Sequence, residues 1–286
     1  MSATASPSEL GAPDRVPGGL RGHGRIRLEA VALEGRTVRG RTEEAGPSRV
    51  RFPRSGRRGG ALEAVLLNTG GGIAGGDSAF ARVRAGRGTR LVVTTQAAEK
   101  VYRSDGASAR LGVELAVEAG ACLEWMPQAT ILFDGARVER SITAEVDPSA
   151  RLLLVEPLVL GRTACGERLT RGRLIDQWRL RRGGRLVYAD GLVLEDDVAA
   201  VLARRATLAG AAAVATVLLV AADAEARIEA VRDRLDAIAD VEAGASAWDG
   251  MLAIRLLAGE GAIVERALRA LIDPLGVAEP PRIWHS

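Results

Sequence analysis

The chain has 286 residues, of which 47% are hydrophobic, and a formal net charge of +3. This length and apolar content suffice for one large domain or two modest ones, which excludes a wholly disordered protein. The longest apolar stretch, residues 210–222, is shorter than the roughly 20 residues that cross a bilayer. The N-terminus also lacks the apolar segment of a secretory signal, so we expect a cytoplasmic protein.

The first 24 residues are rich in Gly, Pro and Ser and show no apolar periodicity. That composition predicts a disordered arm at residues 1–24, followed by a single domain at residues 25–286. Residues 1–60 carry 12 Arg against 6 acidic side chains, so the N-terminal region that contains the arm is basic. A basic arm can bind nucleic acid, but aromatic residues for base stacking are almost absent here. A solvated or partner-facing arm is therefore favoured.

Residues 25–197 consist of segments in which apolar side chains recur at every second position. Examples are RIRLEAVAL at 25–33, TRLVVTT at 89–95 and ARLGVELAVEAG at 109–120. A period of two predicts short strands. Turn signals at 86–88, 105–106 and 182–184 favour antiparallel hairpins over crossover helices. The predicted fold class is mainly β, either an irregular β-sandwich or a β-helix-like meander of short strands.

The pattern changes in residues 198–286, which predict an α/β portion. A short helix is expected at 198–208 and a buried strand at 214–222. An amphipathic helix follows at Ala224–Ala239, with Asp223 as its N-cap. Another strand is expected at 251–257, and a last helix at 262–272 ends before Pro274. We expect these last two helices to pack on the sheet.

A glycine-rich segment, NTGGGIAGGD at 68–77, contains a formal GxGxxG between Gly70 and Gly75. A dinucleotide site needs a helix next and an acidic residue about 20 positions later. The following SAFARVRAG alternates as a strand instead, and no acidic residue lies between Asp77 and Glu99. The segment is therefore interpreted as a tightly packed turn.

Residues for catalysis are scarce, because the only histidines are His23 and His285, near the two ends of the chain. Neither a Ser-His-Asp nor a Cys-His arrangement can be built in the core. Cys122 and Cys165 are too few for a zinc cage and are interpreted as buried small side chains. A metal-using hydrolase that depends on carboxylates remains an alternative, as does a nucleic-acid binder that uses the basic arm.

Carboxylates remain as candidates for a functional site. Six of them lie at turns or inside apolar strands: Asp77, Glu99, Glu124, Asp134, Glu156 and Glu167. Such groups are most often solvated or paired with a cation. The alternative is that carboxylates and water hold a divalent cation weakly and exchangeably.

Five blocks carry a resemblance to a known family: NTGGGIAGGD at 68–77, TTQAAEKVYRS at 94–104, LEWMPQATILFDGA at 123–136, LGRTACGERLTRG at 160–172 and PRIW at 281–284. In this order, across about residues 25–285, the chain resembles the urease accessory proteins called UreD, or UreH in some species. The third block is the most specific, because no common structural reason accounts for it.

The resemblance implies a mostly β fold and a non-catalytic scaffold. Such a scaffold binds UreF, which recruits the GTPase UreG, and docks on apo-urease during nickel insertion. It implies no tightly bound cofactor, although Ni²⁺ can bind transiently. If nickel passes through the chain, the predicted oxygen ligands are Asp77, Asp134, Glu156 and Glu167. The scarcity of His and Cys favours transit over storage, because carboxylates hold Ni²⁺ loosely.

Overall fold

The computed structural model describes residues 21–53 and 60–285, so most of the predicted arm at 1–24 lies outside the described residues. The last residues of that arm are part of the fold, which corrects the predicted boundary. The first strand starts at His23, which pairs with Ser78. The backbone N–H of Gly22 donates to Asp77 Oδ1 at 2.7 Å. Within the described residues, no helix is long and apolar enough to cross a membrane.

Two β-sheets face each other. In the described residues the first sheet has seven strands, in the spatial order β14-β13-β11-β8-β5-β1-β2. Their bounds are β1 His23–Leu33, β2 Arg36–Ala45, β5 Ser78–Ala85, β8 Ala109–Val117, β11 Arg137–Val146, β13 Arg171–Arg182 and β14 Arg185–Asp197. The five central strands, β1, β5, β8, β11 and β13, are parallel neighbours.

The second sheet has ten strands among the described residues, eight of them in the order β16-β17-β15-β12-β9-β6-β4-β3. Their bounds are β3 Ser48–Arg51, β4 Leu62–Asn68, β6 Arg90–Thr95, β9 Cys122–Trp125, β12 Arg151–Leu160, β15 Ala213–Val220, β16 Val241–Trp248 and β17 Met251–Ala258. Two short strands extend it beside β12, namely β7 Glu99–Val101 and β10 Thr130–Leu132.

The central part of the chain alternates between the two sheets, as in a β-helix, so successive turns of the chain stack as parallel strands. This confirms the mainly β fold class but corrects the predicted hairpins. Of the three turns predicted to close hairpins, the one at 182–184 does so, between β13 and β14. The turns at 86–88 and 105–106 instead carry the chain from one sheet to the other. Alternation along a strand does not identify its partner. Here the crossover between two parallel neighbours passes through the opposite sheet.

Three α-helices occur in the described residues, all C-terminal to β14: α1 Val198–Ala203, α2 Ile228–Asp236 and α3 Gly261–Ala270. The first is shorter than the predicted 198–208, and Asp197 caps it by accepting from the Ala200 N–H at 3.1 Å. Asp223 does not cap a helix as predicted, since its carboxylate accepts from Arg227. Strand β16 was not predicted, because it is an exposed edge strand of small and polar residues.

The apolar side chains form three clusters, two of them between the sheets. One contains Leu28, Leu91, Leu123, Leu154, Trp178 and Leu218, and the other contains Ile73, Leu132, Val138, Leu158, Leu174 and Leu194. The third lies between the second sheet and helices α2 and α3 and includes Val231 and Leu268. Trp284 closes this cluster, with its indole N–H donating to the Met126 carbonyl at 3.1 Å. Strand β12 is apolar on both faces because it is covered on both sides.

The glycine segment at 70–76 forms the tight turn predicted for it and continues directly into β5. Asp77 closes the turn by accepting from the Ala74 N–H at 2.8 Å. The backbone of Gly75 approaches its neighbours closely, so that an added Cβ would lie 1.9 Å from Ser104 Oγ and 2.8 Å from the Ala107 carbonyl oxygen. Close approach, not a left-handed backbone, therefore requires glycine at this position.

We expect Gly75→Ala to lower the free energy of unfolding by about 1–3 kcal/mol, because one methyl group overpacks this contact. Gly106→Ala is the matched control, since an added Cβ there meets no atom within 4 Å. Chemical denaturation of both variants tests this expectation. Equal midpoints would show that the turn can relax around a side chain.

Leu268 on α3 is buried in the third cluster, as the amphipathic pattern predicts. Leu268→Ala should lower the free energy of unfolding by about 2–5 kcal/mol, the usual effect of a large-to-small change in a core. Arg266→Ala, on the exposed side of the same helix, serves as the control. An unshifted denaturation midpoint for Leu268→Ala would contradict the packing described here.

Candidate functional site

A row of polar side chains crosses the space between the two sheets and separates the two inter-sheet apolar clusters. On each of six strands, a polar residue replaces the apolar one expected on the inward face. We call this row the polar belt, and its members are Arg140 on β11, Glu156 on β12, Asp176 on β13, Asp190 on β14, Thr216 on β15 and Arg255 on β17. In register, Arg140 lies opposite Asp176, and Thr216 lies between Glu156 and Arg255.

The centre of the polar belt is a buried charge cluster. Glu156 accepts from the indole N–H of Trp125 at 2.6 Å and from Nη2 of Arg140. The same Nη2 lies 3.8 Å from Asp176 Oδ2, so one guanidinium is shared between two carboxylates. Burial raises the pKa of Glu156 above its ordinary value, although Arg140 and Trp125 act in the opposite direction.

The polar belt reaches solvent at its other end, between β14 and β17. Arg255 donates to Asp190 through Nη2 and to Thr216 Oγ1 through Nη1 at 2.6 Å. The Tyr188 hydroxyl also donates to Asp190, at 3.2 Å. The Arg255 side chain is 49% exposed and the Asp190 side chain 24% exposed. The ion pair therefore marks the place where the belt meets the surface.

A cavity of about 340 Å³ adjoins the centre of the polar belt. Trp125, Arg140 and Glu156 contribute to its lining, together with Asn68 and Glu99. Asn68 donates to both carboxylate oxygens of Glu99, at 3.1 and 3.2 Å. Burial raises the pKa of Glu99, and the Asn68 hydrogen bond opposes this shift. Two desolvated carboxylates therefore line one half-open cavity.

The structure separates the four carboxylates predicted to handle nickel. Asp77 fixes the glycine turn through the N–H groups of Gly22 and Ala74. Asp134 and Glu167 lie together in neighbouring loops, where Glu167 accepts from the Asp134 N–H at 3.2 Å. Glu156 lies apart from these, in the buried centre of the polar belt. These carboxylates therefore do not form one cluster.

Asp134 and Glu167 stabilise the loops that contain them by accepting hydrogen bonds. Asp134 Oδ1 accepts from the Thr170 N–H at 2.7 Å, the Thr170 hydroxyl at 2.8 Å and the Arg171 N–H at 3.2 Å. Partial burial acts to raise the pKa of Asp134, but these donors outweigh it and lower the pKa. Hydrogen bonds from Arg162 lower the pKa of Glu167. Both carboxylates are therefore engaged as charged acceptors.

Within residues 21–53 and 60–285, no three His, Cys, Asp or Glu side chains are grouped so that they could hold a metal ion. The cysteines do not change this picture. Cys165 is exposed, which corrects the expectation that both are buried. Cys122 is partly buried, and desolvation raises the pKa of its thiol to about 11. A thiol with that pKa stays protonated at neutral pH and is a poor metal ligand.

Four of the five sequence blocks meet at one end of the molecule. The Tyr102 hydroxyl donates to the Gly71 carbonyl at 2.7 Å, and the Tyr102 ring packs edge-on against Phe133, 5.1 Å between centroids. The Arg162 guanidinium lies 4.5 Å from the centre of the Phe133 ring and is paired with Glu167. We call these five residues the motif surface, and Tyr102 is 37% exposed on it.

A larger groove, of about 820 Å³, adjoins the motif surface on the outer side of the second sheet. Its lining includes Arg162 and Glu167, so groove and surface are continuous. Apolar side chains of the groove come from Ile131, Leu268 and Trp284. The arrangement of an exposed aromatic and an arginine beside an apolar groove suits recognition of another protein.

Sequence reasoning missed five of the six residues of the polar belt. Their signal is a charged or polar residue at the inward position of an alternating strand, as in Val138-x-Arg140-x-Ile142 and Leu174-x-Asp176-x-Trp178. Glu156 was found because it interrupts an unbroken apolar run. The other five lie in strands that also carry charged side chains on the outward face. They can be recognised only when it is known which side chains of each strand point inward.

Comparison with known proteins gives a consistent result. A family model described as "UreD urease accessory protein" matches residues 22–285. A urease accessory protein UreD of Methylobacterium sp. (strain 4-46) is 48% identical over 271 residues, which cover 93% of this chain and 95% of the relative. The UreD of Xanthobacter autotrophicus (strain ATCC BAA-1158 / Py2) is 46% identical over 283 residues, covering 99% and 96%.

A third relative, the UreD of Rhodopseudomonas palustris (strain BisB18), is 46% identical over 266 residues, with 93% of this chain and 95% of the relative covered. The family match spans both sheets, the polar belt and the motif surface. The chain belongs to the UreD family of urease accessory proteins and has a role in urease maturation.

Proposed function

We propose that the chain is a non-catalytic scaffold that binds UreF and, through it, the GTPase UreG, and that docks them on apo-urease. The observation that carries this proposal is the motif surface, where residues from four separate sequence blocks meet beside a large groove. Tyr102 and Arg162 also leave part of their side chains exposed beside the groove, where another protein can contact them.

The chemistry of the site also favours binding over catalysis. The Asp134 and Glu167 carboxylates are already engaged by backbone and guanidinium donors, which leaves them poorly suited to act as a general base. A carboxylate-dependent hydrolase therefore finds little support in these two side chains. A nucleic-acid binder that uses the N-terminal arm would require residues 1–20, which lie outside the described residues.

We also propose that nickel, as cargo, passes through the interior of this protein and not over the loops. Glu156 lines the half-open cavity of about 340 Å³ beside the polar belt, on the side of the second sheet that faces the first. Arg140 links Glu156 to Asp176, which lies on the neighbouring strand β13. Carboxylate oxygens bind Ni²⁺ more weakly than imidazole or thiolate, which suits brief contact during passage.

Capture of partners from cells that contain the urease genes tests the scaffold. We expect the tagged full chain to recover UreF, UreG and urease subunits, and Tyr102→Ala to weaken this recovery because it removes the exposed aromatic of the motif surface. Phe80→Ala is the matched control, since Phe80 is 45% exposed but lies on β5, outside the motif surface.

Quantitative mass spectrometry of the captured proteins gives the readout. Equal loss in Tyr102→Ala and Phe80→Ala would reject the motif surface as the docking site. Absence of all three partners from the wild-type sample would reject the scaffold itself.

The charge of Asp134 should stabilise the loop that contains it. Asp134→Asn should lower the free energy of unfolding at pH 7 by about 1–3 kcal/mol, because three donors lose a charged acceptor. The folded pKa of Asp134 is lowered, so its contribution is complete above the unfolded value of about 3.9 and is lost as the pH falls through the folded value. The two proteins should therefore approach equal stability in acid.

Denaturant titrations across this pH range measure the difference between wild type and variant. Asp105→Asn is the control, because Asp105 is highly exposed and pairs with the exposed Arg103. A difference that stays constant down to the lowest pH would show that the charge of Asp134 does not stabilise the loop.

A further inference from the structure

Strand β16 is a free edge of the ten-stranded sheet, because β17 is its only strand neighbour among the described residues. Its sequence, VEAGASAW at 241–248, contains one charged residue and neither Lys, Arg nor Pro. Its register with β17 runs without a bulge along the whole strand. Four of its residues are exposed: Glu242, Ala243, Gly244 and Ser246. A regular and nearly uncharged edge is a template on which another strand can pair.

The other edge strands of the described fold are protected against such pairing. Strand β2 carries three arginines and two glutamates, and a bulge interrupts its pairing with β1. Strand β14 begins with Arg185 and has a register shift. Strands β3 and β7 are short, with four and three residues. Basic residues, bulges and short length are the usual devices that prevent edge-to-edge association, and β16 has none of them.

The turn after β16 determines which backbone groups face the free edge. Asp249 and Gly250 connect β16 to β17, with φ angles of 47° and 70°, as in a type I′ hairpin turn. In such a two-residue hairpin the flanking residues, Trp248 and Met251, form a hydrogen-bonded pair. Every second residue then bonds to β17. The N–H and C=O groups that point to the free edge therefore belong to Val241, Ala243, Ala245 and Ala247.

A single side chain from α2 contacts this edge. Arg232 Nη2 donates to the Ala245 carbonyl at 3.2 Å, which agrees with the outward direction of that carbonyl. The Arg232 side chain is 51% exposed, so an incoming strand can displace it. Within the described residues, no strand pairs with the remaining outward groups.

Gly244 lies at the middle of β16 without a reason inside the chain. Six glycines lie within the described strands, and an added Cβ would meet an atom within 4 Å at five of them. At Gly244 it would meet none, and the backbone there is not left-handed. Glycine inside a strand is unfavourable, and it often marks a place where another backbone approaches closely. A second backbone beside β16 would account for this residue.

We propose that β16 pairs antiparallel with β16 of a second copy of this chain, across a two-fold axis at Gly244. Gly244 then lies opposite its own copy in a non-hydrogen-bonded pair, in which Cα atoms are about 4.5 Å apart. Ala243 lies opposite Ala245, where both present outward N–H and C=O groups. Glu242 lies opposite Ser246, so no like charges meet. The pairing satisfies the same groups in both copies, because a two-fold interface is self-complementary.

Helix α2 supports the choice of a second copy as the occupant. It contacts β16 on the outer face of the second sheet, so the axis brings it towards its copy. Its exposed charged side chains are of both signs: Glu229, Arg232, Asp233, Arg234 and Asp236. Opposite charges are therefore available on both sides of the axis. An interface of one strand and one helix is small, so we expect a weak dimer that depends on concentration and carries two motif surfaces.

Sedimentation velocity of the purified full chain tests this proposal. The apparent mass should rise from 30.0 kDa towards twice that value as the concentration increases. Ser246→Glu should raise the dissociation constant by roughly fivefold and Ser246→Lys should lower it by a similar factor, because each faces Glu242 twice across the axis. Val193→Glu and Val193→Lys are the matched controls, since Val193 is 57% exposed on the edge strand β14 of the other sheet. Both should associate as the wild type does.

Hydrogen exchange locates the interface. The N–H groups of Ala243, Ala245 and Ala247 should exchange more slowly in concentrated than in dilute samples of the wild type, whereas those of β2 should not change. A chain that keeps a mass of 30.0 kDa at every concentration would overturn the proposal. So would a dimer in which Ser246→Glu and Ser246→Lys act in the same direction. A monomer whose β16 edge is protected only in complex with captured partners would assign the edge to a partner strand and reject the second copy. The scaffold and nickel proposals do not depend on these outcomes.

Discussion

Burial of the Glu156 carboxylate between two β-sheets is the constraint on which the arrangement of the central strands depends. A buried charge is strongly unfavourable unless a partner of opposite charge and good hydrogen bonds accompany it. Arg140 and Trp125 provide these from two other strands, β11 and β9. Loss of one partner from such a pair typically destabilises a protein by about 3–5 kcal/mol.

The same charge cluster specifies the register of the strands. A slip of one residue in β11, β12 or β13 would turn a charged side chain outward and place its apolar neighbours in the wrong layer. Val138 and Ile142, on either side of Arg140, belong to different apolar clusters. The polar belt thus divides the inter-sheet space into two cores whose strands can align in only one way.

The loops at the motif surface connect successive turns of the β-helix-like region. They must also keep those turns in register. Carboxylates do this by accepting backbone N–H groups of the next loop, as Asp134 does from Thr170 and Arg171. Gly72 lies so close to the Tyr102 ring that a Cβ would be 2.5 Å from Cε2. Several residues that identify the family in the sequence therefore stabilise loops. Their presence alone does not indicate a catalytic or metal-binding role.

The sequence was sufficient for the fold class and for the positions of most strands, because alternation depends on local burial. The sequence did not show which strands pair with each other. Hairpins were therefore predicted at the turns 86–88 and 105–106. Strand β16 was missed because an edge strand has no buried face to impose a period of two. Asp77 and Asp134 were selected because they lie in motifs, whereas Asp176 and Arg255 went unnoticed, since their inward direction follows only from the packed sheets.

The scarcity of histidine and cysteine can be compared with the side-chain chemistry of the polar belt. An imidazole or thiolate in place of Glu156 would bind a transition metal tightly, and a tightly bound ion leaves slowly. A carboxylate that is already neutralised by Arg140 offers a weak site, because the metal must compete with a cation that never loses its charge. Under the proposed passage of nickel, such an interior would bind the ion with low affinity and exclude stray ions. Both properties would suit delivery of metal only when a partner supplies it.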